Sequence, residues 1–365
     1  MTPDASADDR WMIRALDHAR RGLGRTTPNP VVGACIVAGD GVVVGQGAHE
    51  RAGEAHAEVH AIVEAGDAAR GATLYCTLEP CAHQGRTGPC TERIVAAGIR
   101  RVVAAMEDPF PQVNGRGFAR LREHGIEVTV GVGRDAAVRL NQPFLTSVRQ
   151  QRPFVILKAA ASIDGRISEA PNTRTRITSA AAMRRAQYDR AWVDAVGVGS
   201  ETVLVDDPLL TVREVHRERP LTRVIFDRRL RTVPAAQIFS TVAQGPVLVM
   251  TTTQALDRNR PHAEALERAG AIVIAPRPDG IEAVLHELHA RNVQSIVIEG
   301  GSSLHQAVWD AKLADYVQLY VAPTALGDSG VPVASGAFSM FALYDRRVEA
   351  LGPDVMIEGY VHRPY

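Results

Sequence analysis

The chain has 365 residues, 45% of them hydrophobic and 22% charged, enough apolar material for about two cores of roughly 150 residues each. Lys plus Arg and Asp plus Glu both total 41, so the formal charge is zero. A general polyanion binder needs a basic face to displace counterions, so nucleic acid is not an expected partner. No apolar run approaches the ~20 residues of a membrane span. Residues 1–9 have neither the basic nor the apolar region of a secretory signal, and the expectation is a cytoplasmic protein that meets no membrane.

In chain order, Met12, Ala15, Leu16 and Ala19 recur at helical spacing and stop at Gly22 and Gly24. Residues 31–37 and 42–44 read as strands around a Gly39-Asp40-Gly41 turn. A helix over 56–65 stops at Gly66, a strand covers 72–77, and a polar loop over 78–89 leads to a helix over 90–97 with Gly98 at its end. Strand 101–106, helix 118–124 and strand 127–130 follow. Strands alternating with helices after a hairpin predict a three-layer α/β domain. The polar stretch 146–152 before Pro153 marks the break, dividing the chain into 1–146 and 147–365. The second half is again α/β, with strands at 154–160, 195–198, 223–226, 247–250, 271–274, 295–298 and 317–321, and helices over 180–192 and 281–291.

All four cysteines, Cys35, Cys76, Cys81 and Cys90, fall in the first quarter of the chain. So few cannot form a disulfide scaffold, and their spacing points to metal or catalysis. His56-Ala57-Glu58 opens a helix, and Pro80-Cys81 and Cys90 follow. One imidazole and two thiolates suit a borderline-soft ion such as zinc, and three protein ligands leave a fourth position for water. Water so held is a nucleophile near neutral pH that can attack an amidine-like ring carbon. Glu58 is placed to move its proton to the ring nitrogen and the departing ammonia. His-x-Glu followed by Pro-Cys is the signature of zinc nucleobase deaminases. In that signature two residues separate the cysteines; here eight do, and the longer loop brings His83 and Arg86 toward the metal.

Other residues have plainer readings. Cys35 and Cys76 lie in apolar strands as small core hydrophobes. His60 is surplus to a complete ligand set, and His49 and His83 either touch substrate or sit in solvated loops. Arg228, Arg229 and Arg231 read as a solvated turn, and Asp206-Asp207 before Pro208 as a turn as well.

The long metal loop is similar to that of the bifunctional deaminase/reductase of riboflavin biosynthesis, and the likeness runs from about residue 25 to about 330. In the first half it is carried by Thr27-Pro28-Asn29-Pro30-Val31-Val32-Gly33, His56-Ala57-Glu58-Val59-His60-Ala61, Thr77-Leu78-Glu79-Pro80-Cys81 with Gly85-Arg86-Thr87, and Asp108-Pro109 with Gly115-Arg116-Gly117. In the second it is carried by Lys158 with Ser162-Ile163-Asp164-Gly165-Arg166, by Ile177-Thr178-Ser179, by residues 202–208 and 210–213, and by Glu299-Gly300-Gly301. The resemblance implies a cytidine-deaminase-like three-layer first domain and a dihydrofolate-reductase-like α/β second domain. It further implies zinc-dependent deamination of 2,5-diamino-6-ribosylamino-4(3H)-pyrimidinone 5′-phosphate, then NADPH reduction of the ribosyl group to ribityl. Carried over by motif, His56, Cys81 and Cys90 are zinc ligands and Glu58 is the proton shuttle. Arg190, Leu210, Arg213 and Glu299 contact substrate. Ala160, Thr202, Asp206, Gly301, Ser302, Ser303, Leu304, His305, Gln306 and Ala307 hold the cofactor. The partner is a small phosphorylated pyrimidine, and a homo-oligomer stays open.

Gly300-Gly301-Ser302-Ser303, after an apolar strand and before a helix, reads as a phosphate cradle of backbone N–H groups. No Gly-x-Gly-x-x-Gly is present, which argues against a Rossmann site. Arg190 and Arg213 offer planar forks for the substrate phosphate. One segment departs from the family. Where the family reads Gly-Glu-Ser-x-Trp-Ile-Thr-Ser, this chain has Asn172-Thr173-Arg174-Thr175-Arg176-Ile177-Thr178-Ser179. Arg174 stands where the serine meets substrate, and Arg176 is expected to lie against the cofactor in place of the tryptophan. The alternative is a paralogue acting on a related pyrimidine-derived metabolite with an altered or inactive reductase. A nucleic-acid-editing deaminase leaves the second domain unexplained, and a purely structural zinc site would be closed by a fourth ligand in place of Glu58.

Overall fold

The structure, a computed structural model, describes residues 7–83, 88–333 and 342–365. Its contacts divide the chain into two units, Met1–Gln150 with Pro364–Tyr365, and Gln151–Arg363.

The first unit runs α1 (Ala7–Ala19), β1 (Gly33–Val37), β2 (Val43–Ala48), α2 (Ala57–Ala65), β3 (Thr73–Cys76), α3 (Cys90–Ala96), β4 (Arg101–Ala104), α4 (Arg116–Glu123), β5 (Glu127–Val130), α5 (Arg134–Leu140) and α6 (Gln142–Gln150). Its sheet has the order β2-β1-β3-β4-β5, with β1 antiparallel to both neighbours and β3, β4 and β5 parallel. Met12, Ala15, Leu16 and Ala19 form the buried stripe of α1, as their spacing predicts. β1 is buried along its whole length, which is why it reads as an unbroken apolar run.

β2 continues past residue 44 to Ala48 through two glycines that hide it from a search for apolar alternation. Their absence of side chains is what the fold needs there. A Cβ on Gly45 would lie 2.1 Å from the Ala61 carbonyl oxygen, and one on Gly47 2.3 Å from that of Ala57. Helix α2 therefore rests directly on the β2 backbone. The polar stretch 146–152 is not a linker throughout: α6 extends to Gln150, and Thr146 and Ser147 are buried.

The second unit runs β6 (Phe154–Ser162), β7 (Arg166–Ser168), α7 (Ala180–Trp192), β8 (Ala195–Gly199), α8 (Ser200–Asp206), β9 (Thr222–Phe226), β10 (Val247–Met250), α9 (Thr253–Arg258), α10 (Arg260–Arg268), β11 (Ala271–Ile274), α11 (Ile281–Ala290), β12 (Ser295–Ile298), α12 (Ser302–Asp310), β13 (Tyr316–Ala322), β14 (Val331–Pro332), β15 (Tyr344–Leu351) and β16 (Asp354–Tyr360). Nine strands form one sheet in the order β11-β10-β9-β8-β12-β6-β13-β16-β15. It is parallel from β11 to β13, and β16 and β15 close it with antiparallel pairing. The chain leaves neighbouring strands β8 and β12 in opposite directions, to β9 on one side and β13 on the other. Their carboxyl ends form the crevice where open α/β sheets bind ligands.

At the start of this unit Arg152 forms a buried two-pronged pair with Asp315 (Nη1–Oδ2 2.6 Å, Nη2–Oδ1 2.8 Å), and Asp315 also accepts from the Val155 N–H at 2.8 Å. Breaking such a pair leaves an uncompensated buried charge, which costs about 3–5 kcal/mol.

The Gly47 contact gives a direct test. Gly47→Ala should push α2 off the sheet and destabilise the first unit by about 1–3 kcal/mol, the usual range for overpacking. Calorimetry should show its transition moved down and that of the second unit unchanged.

Candidate active sites

Three different elements deliver the ligand set of the first unit. His56 is the N-cap of α2, Cys90 is the first residue of α3, and Cys81 lies in the loop after β3. Their donor atoms all fall within 4.8 Å of one another. His56 Nδ1 is 3.2 Å from Cys90 Sγ and 3.6 Å from Cys81 Sγ. The Cys90 backbone N–H donates to Cys81 Sγ at 3.4 Å. Hydrogen bonding from the Cys90 thiol, and the His56 ring, drive Cys81 toward thiolate against the effect of burial; Cys90 is correspondingly pushed up by Cys81 and by burial. A nitrogen and two soft sulfurs converging on one point are the donors zinc takes.

Glu58 stands in the first turn of α2, 3% exposed. Its Oε2 is buried with no protein hydrogen-bond partner among the described residues. Burial raises its pKa, while the His56 charge works the other way. An orphaned carboxylate oxygen costs free energy unless something else meets it. Beside a three-donor metal cluster with an open position, it fits a water at the fourth site.

Glu79 was not singled out by sequence reasoning, and it braces the site. Its Oε2 accepts from the N–H groups of Asp108 (3.2 Å) and Gly115 (2.9 Å), and its Oε1 from those of Gly117 (2.8 Å) and Phe118 (3.3 Å). The loop bearing Pro80-Cys81 is thereby tied to the start of α4. Gly117 makes the approach feasible, since a Cβ there would sit 2.0 Å from the Pro80 carbonyl oxygen. No signal in the sequence marks it, because all four of these partners are backbone N–H groups.

His49 is no solvated loop residue. It is 2% exposed, its Nδ1 lies 3.1 Å from the Ala55 carbonyl oxygen, Asn29 Nδ2 lies 3.0 Å from its Nε2, and its ring meets that of His56 edge-on at 5.3 Å. Burial lowers its pKa, against the Ala55 carbonyl, which raises it. His83 is half-buried with Nδ1 unpartnered, His60 is exposed and outside the ligand cluster, and Arg86 lies outside the described residues.

In the second unit Glu299 follows β12 at the crevice and meets Arg190 through both prongs (Nη2–Oε2 2.7 Å, Nε to Oε1) and Lys158 at 3.7 Å. Burial opposes ionisation, but the two cations outweigh it and hold the carboxyl down at about 2. Arg190 also donates to the Thr211 carbonyl at 3.2 Å, so its guanidinium is held by protein groups. Gly301, at φ +78°, caps α12, whose start supplies Ser302, Ser303, Leu304, His305, Gln306 and Ala307. A Cβ on Gly300 would lie 2.8 Å from Thr202 Oγ1, so bare backbone is required beside α8. A glycine pair opening a helix at the end of a strand fits a cofactor phosphate. Half-buried His305 places Nε2 3.1 Å from the Ile298 carbonyl oxygen.

Thr202 and Asp206 lie on α8, and Ala160 on β6 opposite Tyr320. Asp207 accepts from the Gln237 backbone and side chain, as expected of a turn aspartate. Leu210 is buried, and the Arg213 backbone N–H donates to Gln187 Oε1 at 2.9 Å. Arg231 pairs with Glu201, and Arg176 Nη2 lies 3.3 Å from Met183 Sδ.

Comparison with known proteins matches both halves of the chain. Residues 153–357 match the family model of the RibD C-terminal domain, and residues 5–106 that of the cytidine and deoxycytidylate deaminase zinc-binding region. The riboflavin biosynthesis protein RibD of Synechocystis is 40% identical over 97% of this chain and 96% of that protein. RibD of Acinetobacter baumannii superposes with a TM-score of 0.85 at 37% identity, covering 98% of this chain and 99% of that one. The diaminohydroxyphosphoribosylaminopyrimidine deaminase/5-amino-6-(5-phosphoribosylamino)uracil reductase of Thermotoga maritima gives 0.83 at 34% identity, covering 97% and 98%.

The brace and the ligands can be separated by experiment. Glu79→Ala strands four N–H donors and should cost about 3 kcal/mol or more. Zinc content measured by atomic absorption should fall although His56, Cys81 and Cys90 are intact.

Proposed function

The chain belongs to the RibD family, and from that premise we propose which side chains carry its two reactions. It is a bifunctional enzyme of riboflavin biosynthesis, a zinc-dependent deaminase joined to an NADPH-dependent reductase. The matches span nearly the whole chain and give no support to a paralogue with another substrate.

For deamination, His56, Cys81 and Cys90 would hold zinc, which when bound acts as a Lewis acid and makes water a nucleophile near neutral pH. Glu58 takes one proton of the attacking water and gives it to the pyrimidine ring nitrogen, then takes the second from the new hydroxyl on the ring carbon and delivers it to the amine, which leaves as ammonia as the carbonyl forms. The observation that carries this reading is the unpartnered, buried Glu58 Oε2 beside the ligand cluster. His49, fixed by Asn29 and Ala55, forms a rigid wall next to His56.

For reduction, NADPH would lie on Gly301–Ala307 with Thr202, Asp206 and Ala160 against it, and it supplies the hydride. Glu299, kept ionised by Arg190 and Lys158, accepts hydrogen bonds from the sugar hydroxyls, and Leu210 and Arg213 complete the substrate side. Arg176, in place of the family tryptophan, offers the cofactor a flat, charged face. The partners are thus small molecules, with no role for nucleic acid or membrane, and the cytoplasm is the working compartment. Among the described residues no helix is long and apolar enough to cross a membrane.

Two variants test these roles. Glu58→Gln should keep zinc and lose deamination by about 10²–10⁴-fold, with ammonia release lost while NADPH consumption at 340 nm on the deaminated substrate persists; full ammonia release would remove Glu58 from the mechanism. Arg176→Ala should weaken NADPH binding in a stopped-flow titration, and an unchanged affinity would show that Arg176 is not part of the cofactor site.

A further inference from the structure

We propose that Arg174 is a specificity residue of the reductase step, gripping the substrate's phosphate together with Arg213. The inference rests on the reductase reading above and adds to it a side chain that the family pattern does not supply. A cavity of about 280 Å³ in the second unit is lined by Arg174, Arg190, Arg213, Leu210 and Gln237, with Asp207 as its carboxylate. Two of these charges are already engaged: Arg190 is bound to Glu299 and to the Thr211 carbonyl, and Asp207 accepts from the Gln237 N–H at 2.7 Å and from its Nε2 at 3.1 Å. The Arg174 and Arg213 guanidinium groups have no hydrogen bond or ion pair to protein among the described residues, and Arg174 acts on Asp206 only through space.

Two unpaired cations on one small cavity repel each other and call for an anion between them. A phosphomonoester carries about −1.5 to −2 charge at neutral pH and three acceptor oxygens. Two guanidinium forks match that geometry where a serine hydroxyl and one fork would make fewer charge-assisted bonds. Two phosphomonoesters reach this crevice, that of the ribosyl substrate and the 2′-phosphate of NADPH. The cavity wall favours the first. It includes Leu210 and Arg190, the partner of Glu299, and none of Gly300, Gly301 or Thr202.

The test measures steady-state reduction by the full-length protein and its Arg174→Ser and Arg174→Lys variants. Substrates are 5-amino-6-ribosylaminouracil with and without its 5′-phosphate, each with NADPH and with NADH. Arg174→Ser should raise KM for the phosphorylated substrate about tenfold or more, leave KM for the dephosphorylated one unchanged, and alter kcat little; Arg174→Lys should recover part of the loss. Equal changes for both substrates, or none, would overturn the proposal. So would a rise in the KM for NADPH that is absent with NADH, which would assign Arg174 to the cofactor. A wild-type protein that consumed neither cofactor with either substrate would instead refute the reductase reading, and the role of Arg174 with it.

Discussion

The deaminase site is held together by a carboxylate that has no charged partner among the described residues. Glu79 is 3% exposed and saturated by four backbone N–H groups from the segment around α4. Burying an ion is tolerable when every lone pair finds a donor, and backbone donors are rigid. Cys81 therefore sits in a loop whose path after β3 is fixed in space, and His56 and Cys90 arrive from the starts of two helices. The ligand atoms converge because the backbone is positioned first. The metal does not have to gather them from a loose loop.

The same logic separates the groups that build the protein from those that act. Asp315 is met by Arg152, His362 and the Val155 N–H, and Asp194 by Arg219 and by the Gln294 and Ser295 N–H groups. Both are consumed by their surroundings and tie the amino ends of the interior strands β13 and β8 to their neighbours. Glu58 keeps an oxygen free at the metal-ligand cluster. Leaving a buried acceptor unmet is a cost that folding alone gives no reason to bear, which is why that oxygen marks the place of chemistry. Glu299 lies between these cases: its charge is fixed by Arg190 and Lys158, yet it stands at the mouth of the crevice between β8 and β12.

How much of this was legible depends on whether the constraint was chemical or geometric. Zinc ligation restricts residue type, so His56, Cys81, Cys90 and Glu58 announce themselves, and α1 and β1 are visible because one buries a helical stripe and the other a continuous run. The bracing role of Glu79 is invisible because its partners are backbone groups 29 to 39 residues away that any sequence possesses. The second half of β2 escaped because its glycines serve close contact with α2 and leave no apolar alternation. Strand β15 escaped for the opposite reason: it is the sheet's edge, exposed from Tyr344 to Ala350, and burial imposes no period on it. In 146–152 polarity suggested solvent, whereas Thr146 and Ser147 are packed inside.

The reductase site shows a further way in which sequence and structure divide the information. Gly300 and Gly301 read as a phosphate cradle, and the crevice between β8 and β12 supplies what a glycine pair alone does not, a position at which the sheet's connections diverge. Charge follows a similar rule. The sequence shows Arg174, Arg190 and Arg213 as three equivalent cations; the fold makes them unequal by spending Arg190 on Glu299. A guanidinium already bound to a carboxylate contributes little net field to an anion, whereas Arg174 and Arg213 line the same cavity with their charges unspent among the described residues.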